Sequence, residues 1–320
     1  MSAYVLLERI QVQAANAIVG VTYGYPAITH FLGFTHALSR KLKADSQMGF
    51  TGCAIISHQH TLKTHIRYGD NNFIQSKCPP STLMDKGGDA HKTPPIIEEG
   101  KMDLTVSLLL ECDGMLSSQD EEQSQLKILL QALIPTLRLA GGSIVDVGAV
   151  HLLGEYPQIT TFLKQKLLPA YFLIDQSDAL LTRLDLDETS SNQVFDTWLA
   201  HFGLHYEVKE STQMATNNKS QGVAWVLQDK PSAWLVPLAV GYKGITPVLD
   251  AGSVANSRDV ESPFVFTEMV YGVGAWVGLH KLQEVSGMIW RYHHHNEWYL
   301  AQQQGQQVDF DVDEEDIEPQ

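Results

Sequence analysis

Thirteen histidines and three cysteines are the side chains of this 320-residue chain best suited to acid–base or metal chemistry. His58 and His60 alternate onto one strand face with Cys53 nearby, and His293-His294-His295 form a local run. A structural zinc site needs about four ligands on well-placed elements, and neither group has a paired-ligand spacing. A polar strand face and a solvated turn account for both. His30 and His36 could act as general acid and base in a metal-independent ribonuclease. Six residues apart on a helix, they fall on different faces, which leaves separate structural or contact roles. Nucleotide-phosphate loops, GxSxG, HExxH and CxxC patterns are all absent. No catalytic set, metal or cofactor is expected.

The basic residues are more suggestive. Lys63, His65 and Arg67 project from one strand face, while Arg40, Lys41 and Lys43 close a helix that also carries His36. Both groups flank an aromatic loop, Tyr23-Gly24-Tyr25. Cations beside exposed rings suit single-stranded RNA, whose phosphates meet the charges while unstacked bases lie on the rings. The same residues also fit plainer purposes, because Lys63 and Arg67 could guard an edge strand and the helix bases complement its dipole. Gly141-Gly142-Ser143, just after Arg138, could offer backbone N–H groups to a phosphate or simply close a helix.

These residues sit on a legible series of elements. Tyr4–Val12 reads as a strand, with Leu6, Ile10 and Val12 on one face and Arg9, Gln11 and Gln13 on the other. Pro26 suits a first helical turn, and Ile28, Phe31, Leu32, Leu38 and Leu42 keep helical spacing. Phe50–Ser57 is an apolar strand. His58–Tyr68 continues as a hairpin arm whose Leu62, Thr64, Ile66 and Tyr68 alternate against Lys63, His65 and Arg67. Residues 69–100, with Pro79-Pro80, Gly87-Gly88 and Pro94-Pro95, read as an insertion. Met102–Leu110 alternates again. Ser118 and Glu121 form a capping box for a helix ending near Arg138, and Ile144–Val150 is a further strand. The order β-α-β-β-α-β over the first 152 residues predicts an α+β chain with a ferredoxin-like, RRM-like core.

An additional α/β portion, residues 153–308, is expected to pack on that core. It holds a helix near Asn192–His201, a loop about Ser211–Gln221 and apolar stretches Val223–Leu227 and Trp234–Val240. A helix from Ser262-Pro263 to about Leu282 and a closing hairpin of Met288–Arg291 with Trp298–Ala301 follow. The final dozen residues hold seven acids and no base, too little apolar content to fold alone.

Charge is uneven. The chain carries −15 overall, yet residues 1–68 hold six Lys/Arg against two acids. A whole-chain sum would argue against a nucleic-acid coat, whereas the basic first quarter permits local phosphate contact. Three cysteines without paired spacing favour reduced thiols. Neither a secretory leader nor a membrane-spanning stretch is evident, so a cytoplasmic protein without membrane partners is expected.

Several blocks carry a more specific signal. VQAANAIVGVTYGYPAITHFLGFTHALSRKL (Val12–Leu42) resembles the N-terminal signature of the crRNA 5′-handle-binding subunit of the type I-F CRISPR surveillance (Csy) complex. LRLAGGSI (Leu137–Ile144), LLPAYFLIDQSDAL (Leu167–Leu180), VPLAVGY (Val236–Tyr242), SVANSRDVESPFVFTEMVYGVGAW (Ser253–Trp276) and IWRY (Ile289–Tyr292) resemble its later blocks, in family order. Two departures stand out. Ala14-Ala15-Asn16 replaces a common Asn-Ala-Asn, and Thr22-Tyr23-Gly24-Tyr25-Pro26 replaces Thr-Trp-Gly-Phe-Pro while keeping both aromatic faces.

The resemblance implies a non-catalytic RAMP-superfamily subunit that holds the crRNA 5′ handle at the foot of the complex. It would pair with the large subunit, abut the first copy of the repeated backbone subunit, and meet target DNA only through the assembly. On this reading Asn16, Tyr23 and Tyr25 meet handle bases, and Arg40, Lys41, Lys43, Lys63 and Arg67 meet phosphates or sugars. His36, Arg138, Gly141, Gly142, Arg258 and Arg291 are further RNA contacts. Guide processing by a His-dependent ribonuclease is the alternative.

Overall fold

Alternating apolar residues, legible from Tyr4 onward, produce a long first strand, β1 (Tyr4–Asn16), in the computed structural model. A short hairpin, β2 (Ile18–Val19) and β3 (Thr22–Tyr23), leads into α1 (Ile28–Asp45) and β4 (Phe50–Leu62). Four short strands come next: β5 (Thr64–Arg67), β6 (Asp70–Phe73), β7 (Gln75–Lys77) and β8 (Ile96–Glu98). Then β9 (Lys101–Cys112), α2 (Asp120–Leu133), β10 (Arg138–Leu139) and β11 (Gly142–Leu153) follow. The remainder comprises α3 (Ile159–Leu167), β12 (Tyr171–Asp175), α4 (Asp178–Leu181), α5 (Ser191–Ala200), β13 (Tyr206–Ser211) and β14 (Gly222–Leu227). It closes with β15 (Trp234–Gly244), β16 (Thr267–Gly278), β17 (Trp290–His295) and β18 (Trp298–Gln303). The structure describes residues 3–20, 22–45, 48–77, 96–154, 158–181, 191–203, 206–211, 222–227 and 233–303. The acidic run 309–320, the centre of the expected insertion (78–95) and the loop residues 212–221 lie outside the described residues.

The chain is a mixed α/β structure on a mostly antiparallel sheet. Ten strands join in the order β10-β11-β1-β9-β4-β12-β16-β15-β18-β17. β4 is the branch point. Ile56 and Ser57 pair with β12, whereas Gly52 and Cys53 pair with Arg291 and Trp290 of β17. The last strand therefore returns to β4, and β4, β12, β16, β15, β18 and β17 form a closed ring of pairings. One face of β1, β4 and β9 packs Val5, Leu7, Ile10, Cys53, Ile55, Val106 and Leu108 against Ile28, Phe31, Leu38 and Leu42 of α1. Each such buried large apolar side chain contributes about 1.5–3 kcal/mol, so its apolar stripe is what fixes α1 on the sheet. The other face packs Leu6, Ala54, Ile56 and Leu109 against α3 and Phe172.

Several expectations are corrected by tertiary pairing. Leu6 does not share a face with Ile10 and Val12, because β1 bulges at Arg9 (φ 49°) and reverses its parity. Side chains of β9 complete both β1 bulges: Arg9 N donates to Ser107 Oγ and Ala14 N to Asp103 Oδ1, each at 2.8 Å. The arm expected over His58–Tyr68 divides, with β4 running to Leu62 and β5 pairing with β6 as a separate hairpin. Ile66 and Tyr68 are thus exposed instead of facing a core. Three strands, β6, β7 and β8, fall inside the expected insertion.

α2 has no capping box. Gln119 is its N-cap without a side-chain bond, and Pro135 turns the chain into a 3₁₀ turn (Ile134–Thr136) well before Arg138. The expected helix from Ser262 to Leu282 is instead an extended arm leading into β16. Val270, Val273, Val277 and Trp276 favour a strand there. Gly274 is required by proximity, since a Cβ would lie 2.5 Å from Leu238 Cδ1. The closing hairpin is present as β17–β18 and runs farther than expected, placing the histidine run on β17.

Candidate nucleic-acid interface

The short β2–β3 hairpin presents Tyr23, and its anchoring is local. Asn16 Nδ2 donates to Ile18 O at 2.8 Å, Ala17 N to Gly100 O at 2.9 Å, and Gly24 N to Ala17 O at 2.9 Å. Gly20, with φ of 54°, lets the hairpin tip lie directly on the Tyr271 ring, where a Cβ would collide. Tyr23 is left 62% exposed and meets the Phe73 ring of β6 edge-on, 6.4 Å between centroids.

Behind Tyr23 lies a cleft of about 450 Å³. Tyr25 forms its floor, stacked on Phe31 (5.8 Å) and edge-on to Trp276 (4.8 Å). His60 meets Tyr25 edge-on at 6.3 Å, and Leu62 and Met102 continue the same wall. The opposite wall is Trp234, 53% exposed and set against Tyr171, with Phe202 and Pro237 beside it. Pro237 is tolerated within β15 because β18 reaches only Gly241–Lys243 along that edge. No Asp, Glu, Lys or Arg among the described residues lines the cleft. The chemistry its rings offer is stacking and edge contact with a planar ring.

The expected cations fall into separate groups. Lys63 follows the cleft residue Leu62, and its Nζ is 2.9 Å from Asp103 Oδ1, the same oxygen that caps Ala14 N. Arg67 lies on the β5–β6 arm over Tyr68 (5.4 Å to the ring centre), one strand from the Phe73 that touches Tyr23. Arg138 is exposed, with Nη1 at 3.4 Å from Gly141 O. Its turn is tied to the end of β1 by Asn16 N donating to Ala140 O. Lys41 donates to Thr136 Oγ1 at 2.8 Å, near the β10 edge, and His36 and Arg40 are exposed on α1. Lys43 is elsewhere, paired with Asp113 at 3.0 Å. Asp103 lies near the start of β9 and Asp113 just past its end, ten residues on, or about 33 Å at strand rise. Arg258 is exposed on the arm before β16.

Four expectations change on this geometry. Tyr25 is buried, so Tyr23 alone presents a ring face, and burial raises the Tyr25 phenol above its ordinary range. Asn16 spends its side chain on its own turn. Gly142 packs its Cα within the end of β1, where a Cβ would lie 2.5 Å from Gln13 O, so only Gly141 of that turn is open. Arg291 is not an open contact, because Nε and Nη2 form a two-pronged pair with Glu111 at 2.7 Å. That carboxylate also accepts from Thr51 Oγ1 at 2.6 Å, and its bond to Arg291 raises the guanidinium pKa.

The histidines are also dispersed. A bulge between Ser57 and Gln59 makes His58 the extra residue opposite β9. His58 Nε2 therefore lies 2.7 Å from Ser107 Oγ on one face while His60 meets Tyr25 on the other. Burial lowers His58 to about 4, and burial also lowers His30, which is half-buried. Cys53 is enclosed in the core, its thiol pushed up to about 12 by burial. Among the described residues no three His, Cys, Asp or Glu side chains assemble as a metal set. Trp234, Trp276 and Phe202, which line the cleft, and Phe73, which meets Tyr23, are residues that sequence reasoning missed. The only local hint was an exposed-type tryptophan opening the strand Trp234–Val240.

Comparison with known proteins agrees with the sequence blocks. The family model described as CRISPR-associated protein (Csy2) matches residues 5–301. The CRISPR-associated protein Csy2 of Pseudomonas aeruginosa (strain UCBPP-PA14) is 30% identical over 310 residues, 91% of each chain. The family resemblance is borne out, and the chain belongs to the Csy2 family of CRISPR-associated proteins.

Proposed function

We propose that this protein is the non-catalytic subunit of a type I-F CRISPR surveillance complex that binds the 5′ handle of the guide RNA. It pairs with the large subunit, abuts the repeated backbone subunit and reaches target DNA only through the assembly. Residues 1–152 serve as a ferredoxin-like RNA-binding core, a reading supported by the antiparallel order β11-β1-β9-β4 with α1 and α2 as crossovers. Residues 153–308 add the far wall of the cleft. No described helix is long and apolar enough to cross a membrane, which is compatible with work in the cytoplasm.

The carrying observation is the aromatic cleft opening at Tyr23, whose described lining holds no Asp, Glu, Lys or Arg, with the Arg67 arm joined to it through the Phe73–Tyr23 ring contact. Bases stack on exposed rings while cations beside them hold the phosphates. Tyr23 and Trp234 take a base; Lys63, Arg67 and Arg138 hold the backbone; His36, Arg40 and Lys41 extend that track over α1. The test is binding of a synthetic handle RNA to the purified chain with its large subunit. Tyr23→Ala with Trp234→Ala is expected to weaken binding by about 30-fold or more. Unchanged affinity in that double variant would overturn the reading, as would metal-free cleavage of repeat RNA that is lost on replacing His30 or His36.

A further inference from the structure

A second concavity, of about 670 Å³, lies at the far end of β15 from the aromatic cleft. Tyr242 and Tyr299 are cross-strand partners and both line it, with the Tyr299 ring stacked on Tyr292 of β17 at 4.5 Å. Val248, Val265 and His294 line it further, and Glu297 is the one carboxylate among its described lining residues, which include no Lys or Arg. Lys243 offers Glu297 no neutralisation, because its ammonium is held over the Trp298 ring at 4.7 Å. Glu297 has no ion pair to a described residue.

The arm between β15 and β16 borders this groove and is ordered by its own backbone. Leu249 N donates to Phe264 O and Phe264 N to Leu249 O, at 2.7 and 2.9 Å, and Ile245 N donates to Phe266 O at 2.9 Å. On it Val248 is 72% exposed, and Ile245, Val260 and Phe266 are also uncovered. Contiguous apolar surface of this kind is rare on a soluble protein unless something covers it. The arm carries Asp250, Asp259 and Glu261 against a single base, Arg258. Two hydrogen bonds, from Ser262 Oγ at 2.6 Å and Glu261 N at 3.0 Å, hold the Asp259 carboxyl below its ordinary pKa.

We propose that this groove docks a protein segment in which an arginine stands beside apolar residues. An arginine plane stacks on tyrosine rings and forks to a carboxylate. The apolar neighbours would cover Val248 and Val265. The acidic rim repels a phosphate backbone, so RNA is the wrong occupant. The occupant is another protein subunit of the same assembly, and to that extent the inference rests on the proposed function.

Co-expression of the full chain with the other subunits of its complex tests this. With p-benzoylphenylalanine in place of Val248, irradiation is expected to crosslink one protein subunit, at a peptide that carries arginine next to an apolar residue. Glu297→Arg and Val248→Asp are expected to lower recovery of that subunit about tenfold or more. Handle-RNA affinity and the thermal midpoint of the free chain should not change in either variant. Crosslinking to guide RNA, or no crosslink in an intact complex, would overturn the proposal. So would undiminished recovery with Glu297→Arg. Failure of the unaltered chain to assemble with those subunits would instead overturn the functional reading beneath it.

Discussion

The aromatic cleft and the Tyr242 groove sit at opposite ends of one strand, β15, and both are lined by large apolar rings. Trp234 stands at one end and Gly244 at the other, ten residues apart, or about 33 Å at strand rise. They differ in the charge brought to the rim. Among the described residues the cleft is lined by no Asp, Glu, Lys or Arg and is joined to the Arg67 arm through Phe73, whereas the groove contains Glu297 and borders an acidic arm. Similar apolar linings can thus be directed at different macromolecules, because the rim sign decides whether a phosphate backbone or a basic protein segment approaches. The net charge of −15 averages these two ends and conceals both.

The comparison depends on the seam that ties the two ends together, and breaking that seam has the largest expected effect. Arg291→Ala takes from the Glu111 carboxylate its guanidinium partner where β17 closes on β4, leaving neutral donors such as Thr51, and should cost about 3 kcal/mol of stability by chemical denaturation. Replacing Arg291 and Glu111 together with apolar residues should cost far less, since no buried charge is then left alone. A small loss in the single variant would mean that the ring of strands does not need this pair.

The next test separates the two regions. Tyr23→Ala or Trp234→Ala should each remove about 1–3 kcal/mol of handle-RNA affinity with little change in unfolding midpoint. Val248→Asp at the groove should leave RNA affinity as it was. A loss of RNA affinity on that last change would end the distinction between the regions.

Acid acts on the sheet between them. His58 is held neutral by burial and, secondarily, by the nearby Arg9 charge, with a folded pKa of about 4 against an ordinary 6.5. The unfolded chain therefore takes up this proton first, and the contribution is complete above pH 6.5. It is lost as pH falls from 6.5 towards 4, by about 2 kcal/mol once partial exposure is allowed for. His58→Gln should flatten this part of the stability–pH profile, measured by denaturant melts across that window. The smallest expected effect is on salt dependence. Lys63→Ala and Arg67→Ala should each reduce the slope of log affinity against log salt by about 0.7.

Much of the first half was legible before any coordinates. Strand alternation over Tyr4–Val12 and Met102–Leu110 and the apolar stripe of α1 are local patterns, and each became the expected element. Residues that depend on pairing were harder to read. One left-handed residue, Arg9, reverses the parity of β1, and one extra residue, His58, sends two neighbouring histidines to opposite faces. The strand at Thr267–Gly278 resembled a helix because it is buried along much of its length and lacks clean alternation. Its glycines make sense only against Leu238 and Ser177 on neighbouring elements.

The sequence by itself determined the family, through blocks spread from Val12 to Tyr292, and located a basic first quarter with tyrosines in its loop. The tertiary structure alone decided which of those residues remain available. Asp103 and Asp113 engage Lys63 and Lys43 at opposite ends of β9, Glu111 occupies Arg291, and Trp276 with Phe31 encloses Tyr25. Every one of these partners except Phe31, six residues along the chain from Tyr25, is remote in sequence. Composition and spacing report which side chains a chain possesses; closure of the sheet decides which of them still face solvent.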